Sequence, residues 1–595
     1  TFASRRYLQH LIEIYFPPES SGFLQALLLG IRSHLSREVK FNFQRAGVMH
    51  VLAISGLHVG FIALSFGIIL SFLPLYFKYR YPLIMLLLLF YMFLTGCQPP
   101  VVRATIMTVF FLLSRILEKP LNIYNSIFAA AFVILFFQPQ QLFWVGFQFS
   151  FAAVLSIIFF YERLSPWVQL ILDKCKNDWL RNRLFRWIII PLLVSFSAQL
   201  GTVPLVMYYF HLFSPIALIL NLIVIPLTGI LVAGGLLFFL ISFISHEVTI
   251  LIADFIHQII QLLIKLVQIP LTIPGAYLWI PRFSLIHILL YGFLLFSLIE
   301  LLARRRTFIY PLIMAGILMI GNWTFREIMK TPSLQILVLD VGQGDASLIL
   351  TPSGKLVCID TGPANQYYDA ARHAIIPTLQ YLGKKKINYL FISHPHDDHC
   401  GGTFNLTTYA TIDSAYLPRM PMGYPMADSL KQFWETHHIP YRYLSMGDQI
   451  NVDNETRIYV LSPPSQFTNY HDFDGSHVNN NSLILLIKHR DLSLLFPGDA
   501  EWPVEEALTG WKKILRANFL KVAHHGSNTS SSDAFLNLVS PSIAVISVGK
   551  NNKFHHPSPR VIRRLKNHNV QIHRTDVEKA LWFEWFNGKL RLKKW

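Results

Sequence analysis

The chain has 595 residues, of which 53% are hydrophobic and only 14% charged, and its formal net charge is +17. Soluble globular domains carry about a quarter charged residues, so this composition excludes an ordinary soluble protein. The cysteines Cys97, Cys175, Cys358 and Cys400 form no C-x-x-C pair, which excludes a disulfide framework or a structural zinc knuckle. The positive excess has two readings: Lys/Arg-rich cytoplasmic loops of a membrane protein, or a polyanionic partner such as nucleic acid or anionic lipid.

Residues 1–46 read as an amphipathic segment in which Arg32, Arg37, Lys40 and Arg45 cluster. The chain begins at Thr1 without a visible signal peptide and reads as lacking its natural N-terminus. From 47 to 330 the sequence is dominated by apolar runs. A bilayer-crossing helix needs roughly 17–25 such residues. Spans are expected near 48–76, 82–98, 100–118, 124–139, 141–161, 187–209, 214–244, 249–268, 285–303 and 308–325, about ten in all. Pro191, Pro204 and Pro226 fall inside them. Helices broken in this way pack against neighbours or line a cavity.

Loop charges set the expected orientation. Lys78 and Arg80, then Arg115 and Lys119, then Lys174, Lys176, Arg181, Arg183 and Arg186, and finally Arg304, Arg305 and Arg306 all fall on one side of these spans. Positive loops are cytoplasmic, so the C-terminal part is expected outside the cytoplasm.

Residues 331–595 change character. "LQILVLDVGQGDASLILTPSGKLVCIDTG" reads as three strands joined by turns, and strands alternating with helix-like segments follow. The expectation is an α/β domain of about 260 residues. Within it, "HPHDDHCGG" follows the apolar strand "INYLFIS" and supplies His394, His396, Asp397, Asp398 and His399. Imidazole and carboxylate donors suit Zn, Mn or Fe ions. His394 and His396, one residue apart, can point the same way on an extended segment. Asp398 and His399 then begin a helix and can serve a neighbouring ion. Two such ions clamp the attacking and leaving oxygens of a phosphoryl or acyl transfer.

On these residues the C-terminal part resembles the metallo-β-lactamase fold, which implies an αββα sandwich with the metal site at one edge of its sheets. The resemblance extends to Asp360 in "CIDTG", a structural position in that family, and to Asp499 in "LLFPGDA", its bridging carboxylate. It also takes in "VAHHGSNTS", with His524 and His525, and "KFHHPSP", with His555 and His556. One late histidine completes the second metal site. The resemblance favours His556 as that ligand and His525 as a contact to substrate phosphate, with the reverse left open. The implied metal set is His394, His396, Asp398, His399, Asp499 and His556, with Asp398, Asp499 and His525 catalytic, around one or two Zn or Mn ions. The sequence departs from the pattern before "SLILLI". Asn479, Asn480 and Asn481 stand where the family has its middle histidine, and His477 is out of register. That leaves open a domain that binds without turnover.

The membrane part resembles the competence domain of ComEC-type DNA-internalisation proteins. The strings that carry this are "LLLGIRSHLSREVKFNFQRAGVMHVLAISGLHVGF", "TGCQPPVVRATIM", "FQFSFAAVLSI" and "SAQLGTVPLVMYYFHLFSPIALILNLIVIPL", together with "LDVGQGDA" in the next domain. The resemblance implies a multi-pass protein of the bacterial inner membrane that passes single-stranded DNA inward. The outer metallohydrolase, a nuclease or phosphodiesterase, would remove the other strand of double-stranded DNA. The implied partners are DNA, membrane lipid, a separate DNA receptor and a cytoplasmic ATPase or helicase; self-association is also admitted. No Walker-type loop occurs in this sequence. The family's preceding OB-type domain is not seen, and the chain reads as a fragment or a truncated form.

Polar residues within apolar spans either bond neighbouring helices or face a wet path. His58, Arg103, Gln148, Gln199 and Asn221 are the DNA-path candidates. Arg103, near a span end, either snorkels to headgroups or meets passing phosphates. Two rival functions stand beside DNA uptake: a membrane-anchored metallohydrolase of another phosphodiester, and a channel with a vestigial, non-catalytic domain.

Overall fold

A computed structural model describes residues 2–73, 76–117, 123–172, 185–281, 283–302, 306–328, 333–365, 368–420, 424–464 and 475–593. Of the residues singled out above, Lys119, Lys174, Cys175, Lys176, Arg181, Arg183, Arg304 and Arg305 lie outside them. The chain divides into two compact units, Thr1–Met319 and Ile320–Trp595.

The first unit is helical. It contains α1 (Phe2–Tyr15), α2 (Pro18–Leu29), α3 (Arg37–Arg45), α4 (Gly56–Ser71), α5 (Phe77–Leu94), α6 (Pro99–Ile116) and α7 (Ile123–Phe137). After these come α8 (Val145–Leu172), α9 (Ile190–Phe210), α10 (Ala217–Ile241), α11 (His246–Gln268), α12 (Leu285–Leu302) and α13 (Ile309–Ile328). Among the described residues, five helical stretches are long and apolar enough to cross a membrane: Pro99–Ile116, Val145–Leu170, Trp187–Phe210, Ala217–Ile241 and His246–Thr272. Gly56–Ser71, Ile123–Phe137, Leu285–Leu301 and Ile309–Asn322 are shorter apolar helices. The chain is therefore a membrane protein.

Two expectations change in this unit. The segment expected as a span at 48–76 opens with a 3₁₀ turn at Met49–Val51, and its helix starts only at Gly56. A capping box between Ser55 and His58 fixes that start. The segment at 1–46 is not uniformly amphipathic. Ten of the twelve residues of α2 are buried. "GFLQALLL" is apolar on nearly every side, which places a helix inside a core rather than on a surface.

The second unit is an αββα sandwich. The strands before the metal motif are β3 (Leu334–Val338), β4 (Ser347–Leu350), β5 (Leu356–Ile359), β6 (Lys386–Ile387) and β7 (Tyr389–Phe391), numbered after two short strands of the helical unit, β1 (Leu212–Phe213) and β2 (Leu278–Trp279). After the motif come β8 (Thr411–Ile412), β9 (Ala415–Pro418), β10 (Tyr441–Leu444), β11 (Gln449–Asn451), β12 (Thr456–Ser462), β13 (Ile484–His489) and β14 (Leu492–Phe496). The chain ends through β15 (Phe519–Lys521), β16 (Ile543–Ile546), β17 (Gln571–Arg574), β18 (Leu581–Phe586) and β19 (Lys589–Lys593). One sheet runs β10-β9-β7-β5-β4-β3-β18-β19 and the other β11-β12-β13-β14-β15-β16-β17.

Side chains alternate across each strand, and both faces are apolar. Leu334, Ile336 and Val338 join Ile458, Leu485, Leu494 and Val545 in the core between the sheets. Leu337, on the other face of β3, packs with Leu379, Leu430 and Trp434 from helices outside. The second sheet does likewise, with Leu486, Leu495 and Leu520 against Leu508, Leu536 and Leu565. The first three strands of the unit match the strand–turn–strand–turn–strand pattern of the sequence.

Candidate metal centre

The site collects where strands of both sheets end. Asp360 follows β5, His394 follows β7, Asp499 follows β14 and His525 follows β15, so rigid strands aim the loops that bear the donors. His399 Nε2 is 3.2 Å from Asp499 Oδ1. The other oxygen, Oδ2, is 3.9 Å from His394 Nε2 and 3.7 Å from His525 Nε2. His525 Nε2 also lies 3.4 Å from Asp398 Oδ2. His396 completes the run, with its Nδ1 3.0 Å from His394 Nε2. Ligand atoms fall within 4.8 Å of one another in the groups His394–His399–Asp499, Asp398–His399–His525 and Asp345–Asp499–His525.

His399 Nε2, His525 Nε2 and Asp499 Oδ1 are buried without a hydrogen-bond partner among the described residues. Leaving such atoms unpaired costs about 1–3 kcal/mol each, more when charged. Aimed at one another, they suit a divalent cation. His394 and His399 are fully buried and Asp499 is nearly so.

The late histidines do not sit as expected. His525, not His556, shares the groups with Asp398, His399 and Asp499. The backbone explains the difference. His524, His525 and Gly526 all have left-handed φ (50°, 53° and 80°), which turns the His525 ring into the cleft, and its Nδ1 faces the Ser547 carbonyl at 3.0 Å. His556 stands beside the group, its Nδ1 3.3 Å from the His524 carbonyl. Burial and the neighbouring His525 and His524 push its pKa down to about 4. Of the residues at the family's middle-histidine position, Asn480 accepts from Glu501 N and Asn481 donates to Arg419 O, while Asn479 is buried. Ser482 Oγ, rather than an imidazole, approaches His394 Nδ1 at 3.3 Å.

Asp345 and Lys521, not expected here, support the site. Asp345 pairs with buried Lys521 at 2.7 Å and faces His525 Nδ1 at 3.6 Å. Gly344 makes that position reachable, because a Cβ there would meet the Asp398 carbonyl and Pro363. A lysine in the apolar strand "FLKVA" and the aspartate of "GQGDA" were the available signals. His524 lies 3.9 Å from Asp499 and 3.2 Å from Glu501 Oε1.

Asp360 acts through His399. Its Oδ2 accepts from His399 Nδ1 at 2.9 Å, and its oxygens also accept from Ser393 N and Oγ. That bond orients the ring so that Nε2, which faces Asp499, would be the atom to hold a metal ion. We expect Asp360→Asn to weaken divalent-metal affinity by roughly 10–100-fold, read by titration against a competing chelator. Unchanged affinity would remove Asp360 from that role.

Charge divides the imidazoles into two kinds. Burial and the cation at His399 hold His394 well below the usual histidine range, and burial lowers His396. Burial also opposes protonation of His399 and His525, but carboxylates outweigh it. Asp499 and Asp360 raise His399 well above the usual value, and Asp499 and Asp345 raise His525 to about 10. Burial alone would raise Asp499, yet His399 and His525 hold it well below the carboxylate range. A cation must therefore displace protons from His399 and His525. Metal affinity should rise with pH below about 10 and fall as acid returns those protons. Calorimetry in buffers of different ionisation enthalpy should detect proton release near neutral pH; none would contradict this charge assignment.

Three of the membrane-unit candidates, Arg103, Gln148 and Asn221, bridge helices. Arg103 is 3% exposed, and its Nη2 donates to Gly146 O at 3.0 Å, tying α6 to the start of α8. Its side chain is turned inward, so it does not snorkel. Gln148 accepts from Tyr209 OH at 2.6 Å, and Asn221 Nδ2 donates to Ser195 Oγ at 2.8 Å. His58 Nδ1 faces Ser55 N and Oγ. His58 Nε2 and Gln199 Nε2 are buried without a partner among the described residues.

Comparison with known proteins fits both units. A family model described as "Competence protein" matches residues 27–305, and one described as "Metallo-beta-lactamase superfamily" matches 339–550. This chain joins a competence domain to a metallo-β-lactamase domain, the ComEC-type arrangement. It is 28% identical over 623 residues to "ComE operon protein 3" of Bacillus subtilis (strain 168), covering 98% of this chain and 74% of that protein. It is 27% identical over 603 residues to "Recombination protein 2" of Haemophilus influenzae (strain ATCC 51907 / DSM 11121 / KW20 / Rd), covering 96% and 73%. A solved structure, Zn(2+)-bound PqqB from Methylobacterium extorquens, is similar at 9% identity with a TM-score of 0.27, covering 40% of this chain and 97% of that one. The family supports a role of this ComEC-type chain in competence and DNA uptake, and its second unit has the donor set of a divalent-metal site.

Proposed function

We propose that the helical unit passes single-stranded DNA across the bacterial inner membrane and that the second unit is a divalent-metal-dependent nuclease acting outside the cytoplasm. The observation that carries the nuclease reading is the convergence of His394, His399, Asp398, Asp499 and His525, in which His399 Nε2, His525 Nε2 and Asp499 Oδ1 are buried without a hydrogen-bond partner among the described residues. One or two Zn or Mn ions would be held by His394, His396, His399, Asp398, Asp499 and His525. When bound, such ions supply Lewis acidity at a phosphodiester oxygen and activate water for attack. Asp499 faces His399 with one oxygen and His394 and His525 with the other, so it would help hold such ions. Asp360 and Ser393 orient His399. In this reading His556, whose Nδ1 lies 3.3 Å from the His524 carbonyl beside the cluster, contacts a substrate phosphate.

The test is hydrolysis of labelled DNA by the full-length chain with Mn²⁺ or Zn²⁺, compared with a chelator control. Metal-dependent cleavage supports the reading. A second reading, a channel with a metal-binding but inactive domain, is favoured by Asn479, Asn480 and Asn481 at the place of a middle histidine, where Ser482 Oγ and no imidazole approaches His394; it predicts bound metal without cleavage. Cleavage of non-nucleic phosphodiesters alone would favour a membrane-anchored hydrolase of another substrate.

The orientation rests on the Lys/Arg-rich loops. A reporter active only outside the cytoplasm, fused after Trp595, should be active. Signal from a cytoplasm-only reporter at the same point would reverse it. A DNA receptor and a cytoplasmic ATPase or helicase complete this reading as separate partners.

A further inference from the structure

Three segments lead from the metal centre to one open cavity of about 520 Å³. Trp502 follows Asp499 by three residues, Asn528 follows His525 by three, and Arg560 follows His556 by four. With about 3.8 Å between consecutive Cα atoms, Trp502 and Asp499 are at most about 11 Å apart at Cα. The link is also bonded: Glu501 Oε1 faces His524 Nδ1 at 3.2 Å, and Trp502 N donates to Thr529 O at 2.9 Å.

Arg560, Arg563 and Arg564 line the cavity from the helix Pro559–Asn567. Positions i, i+3 and i+4 share a helix face, where like charges repel. That helix carries no acidic residue, and it buries Val561 and Leu565 on the opposite side. Arg564 donates to Asn528 O at 3.3 Å and stands 5.6 Å from the Trp502 ring centroid. The acid in the cavity, Asp533, faces His568 at 3.1 Å. Trp502 is 46% exposed, its ring available beside the guanidinium groups. An exposed aromatic ring flanked by arginines matches the chemistry that holds a nucleic-acid strand: bases stack on the ring and phosphates pair with the forks.

We infer that this cavity is a strand-binding groove that seats one or two nucleotides next to the scissile phosphate. This rests on the nuclease reading above. Arg560 and Arg563 would each hold a backbone phosphate, while Trp502 stacks a base and so favours an unpaired strand over a duplex.

The experiment is steady-state cleavage of a labelled single-stranded oligonucleotide by the full-length chain in detergent with Mn²⁺, across a salt series. Arg560→Gln with Arg563→Gln should raise KM about tenfold and leave kcat within about twofold. The slope of log(kcat/KM) against log salt should become shallower by roughly 1.4, about 0.7 per lost phosphate contact. Trp502→Ala should raise KM by about tenfold with the salt slope unchanged, as for a lost stacking contact. Metal content and unfolding midpoint, measured on each variant, exclude misfolding as the cause. Unchanged KM and salt slope in variants that keep their metal would overturn the groove while leaving the nuclease reading intact. Loss of binding to anionic lipid vesicles with unchanged KM would make it a lipid site and also overturn the proposal. No DNA cleavage by the wild-type chain would instead remove the reading on which the groove rests.

Discussion

Replacing Asp499 with Asn should lower metal-dependent DNA hydrolysis by the full-length chain by roughly 10²–10³-fold or more, because a bound ion supplies several kcal/mol to such a reaction and about 1.4 kcal/mol is tenfold. The carboxylate faces His399, His394 and His525 from one buried position. Asparagine keeps the volume and removes the charge. Its amide N–H₂ cannot coordinate and would confront imidazoles whose protonation the carboxylate sustains. Metal content, measured after dialysis, should fall with the rate. A variant that loses rate but keeps its metal would move Asp499 from holding the ion to the reaction itself. A variant that keeps both would show that the centre does not need it.

Arg103→Ala should reduce DNA internalisation at least about tenfold while the chain still inserts in the membrane and still hydrolyses DNA. The buried guanidinium is bonded to the Gly146 carbonyl, and a charge-assisted bond of this kind is worth about 1.5–3 kcal/mol. Alanine leaves that carbonyl unpaired and opens a gap between α6 and α8. Lysine restores the charge but not the planar fork, so Arg103→Lys should recover uptake only in part. Transformation frequency in cells expressing equal amounts of each variant is the measurement. Normal uptake with Arg103→Ala would make the residue dispensable for the path.

Both predictions rest on residues that the sequence marked unequally well. H-x-H-x-D-H after an apolar strand was legible because ligand type and spacing are local properties. Asp499 was legible through a family pattern. Alternation and turn residues likewise exposed β3, β4 and β5. The choice between His525 and His556 was not legible, since both occur in His-His pairs late in the sequence. It turns on left-handed backbone at His524, His525 and Gly526. Asp345 was hidden for another reason: it comes from a distant loop, and its partner Lys521 lies 176 residues away. The apolar runs located helices in the first unit well. They did not reveal that Arg103 turns inward, because burial depends on which neighbour offers a carbonyl.

Helix α2 has a consequence for how the protein is made. It is too short to cross a bilayer, and it packs against α10 and α11, which begin at Ala217 and His246. The ribosome adds roughly 5–20 residues per second. About 190 residues separate the end of α2 from the start of α10, so α2 leaves the ribosome roughly 10–40 s before α10 and α11 exist. During biogenesis an oily segment with only part of its packing in place must therefore wait at the membrane surface or in the care of an insertase. Mutations that weaken α10 or α11 should show themselves first as degradation of newly made chains rather than as a defective pore.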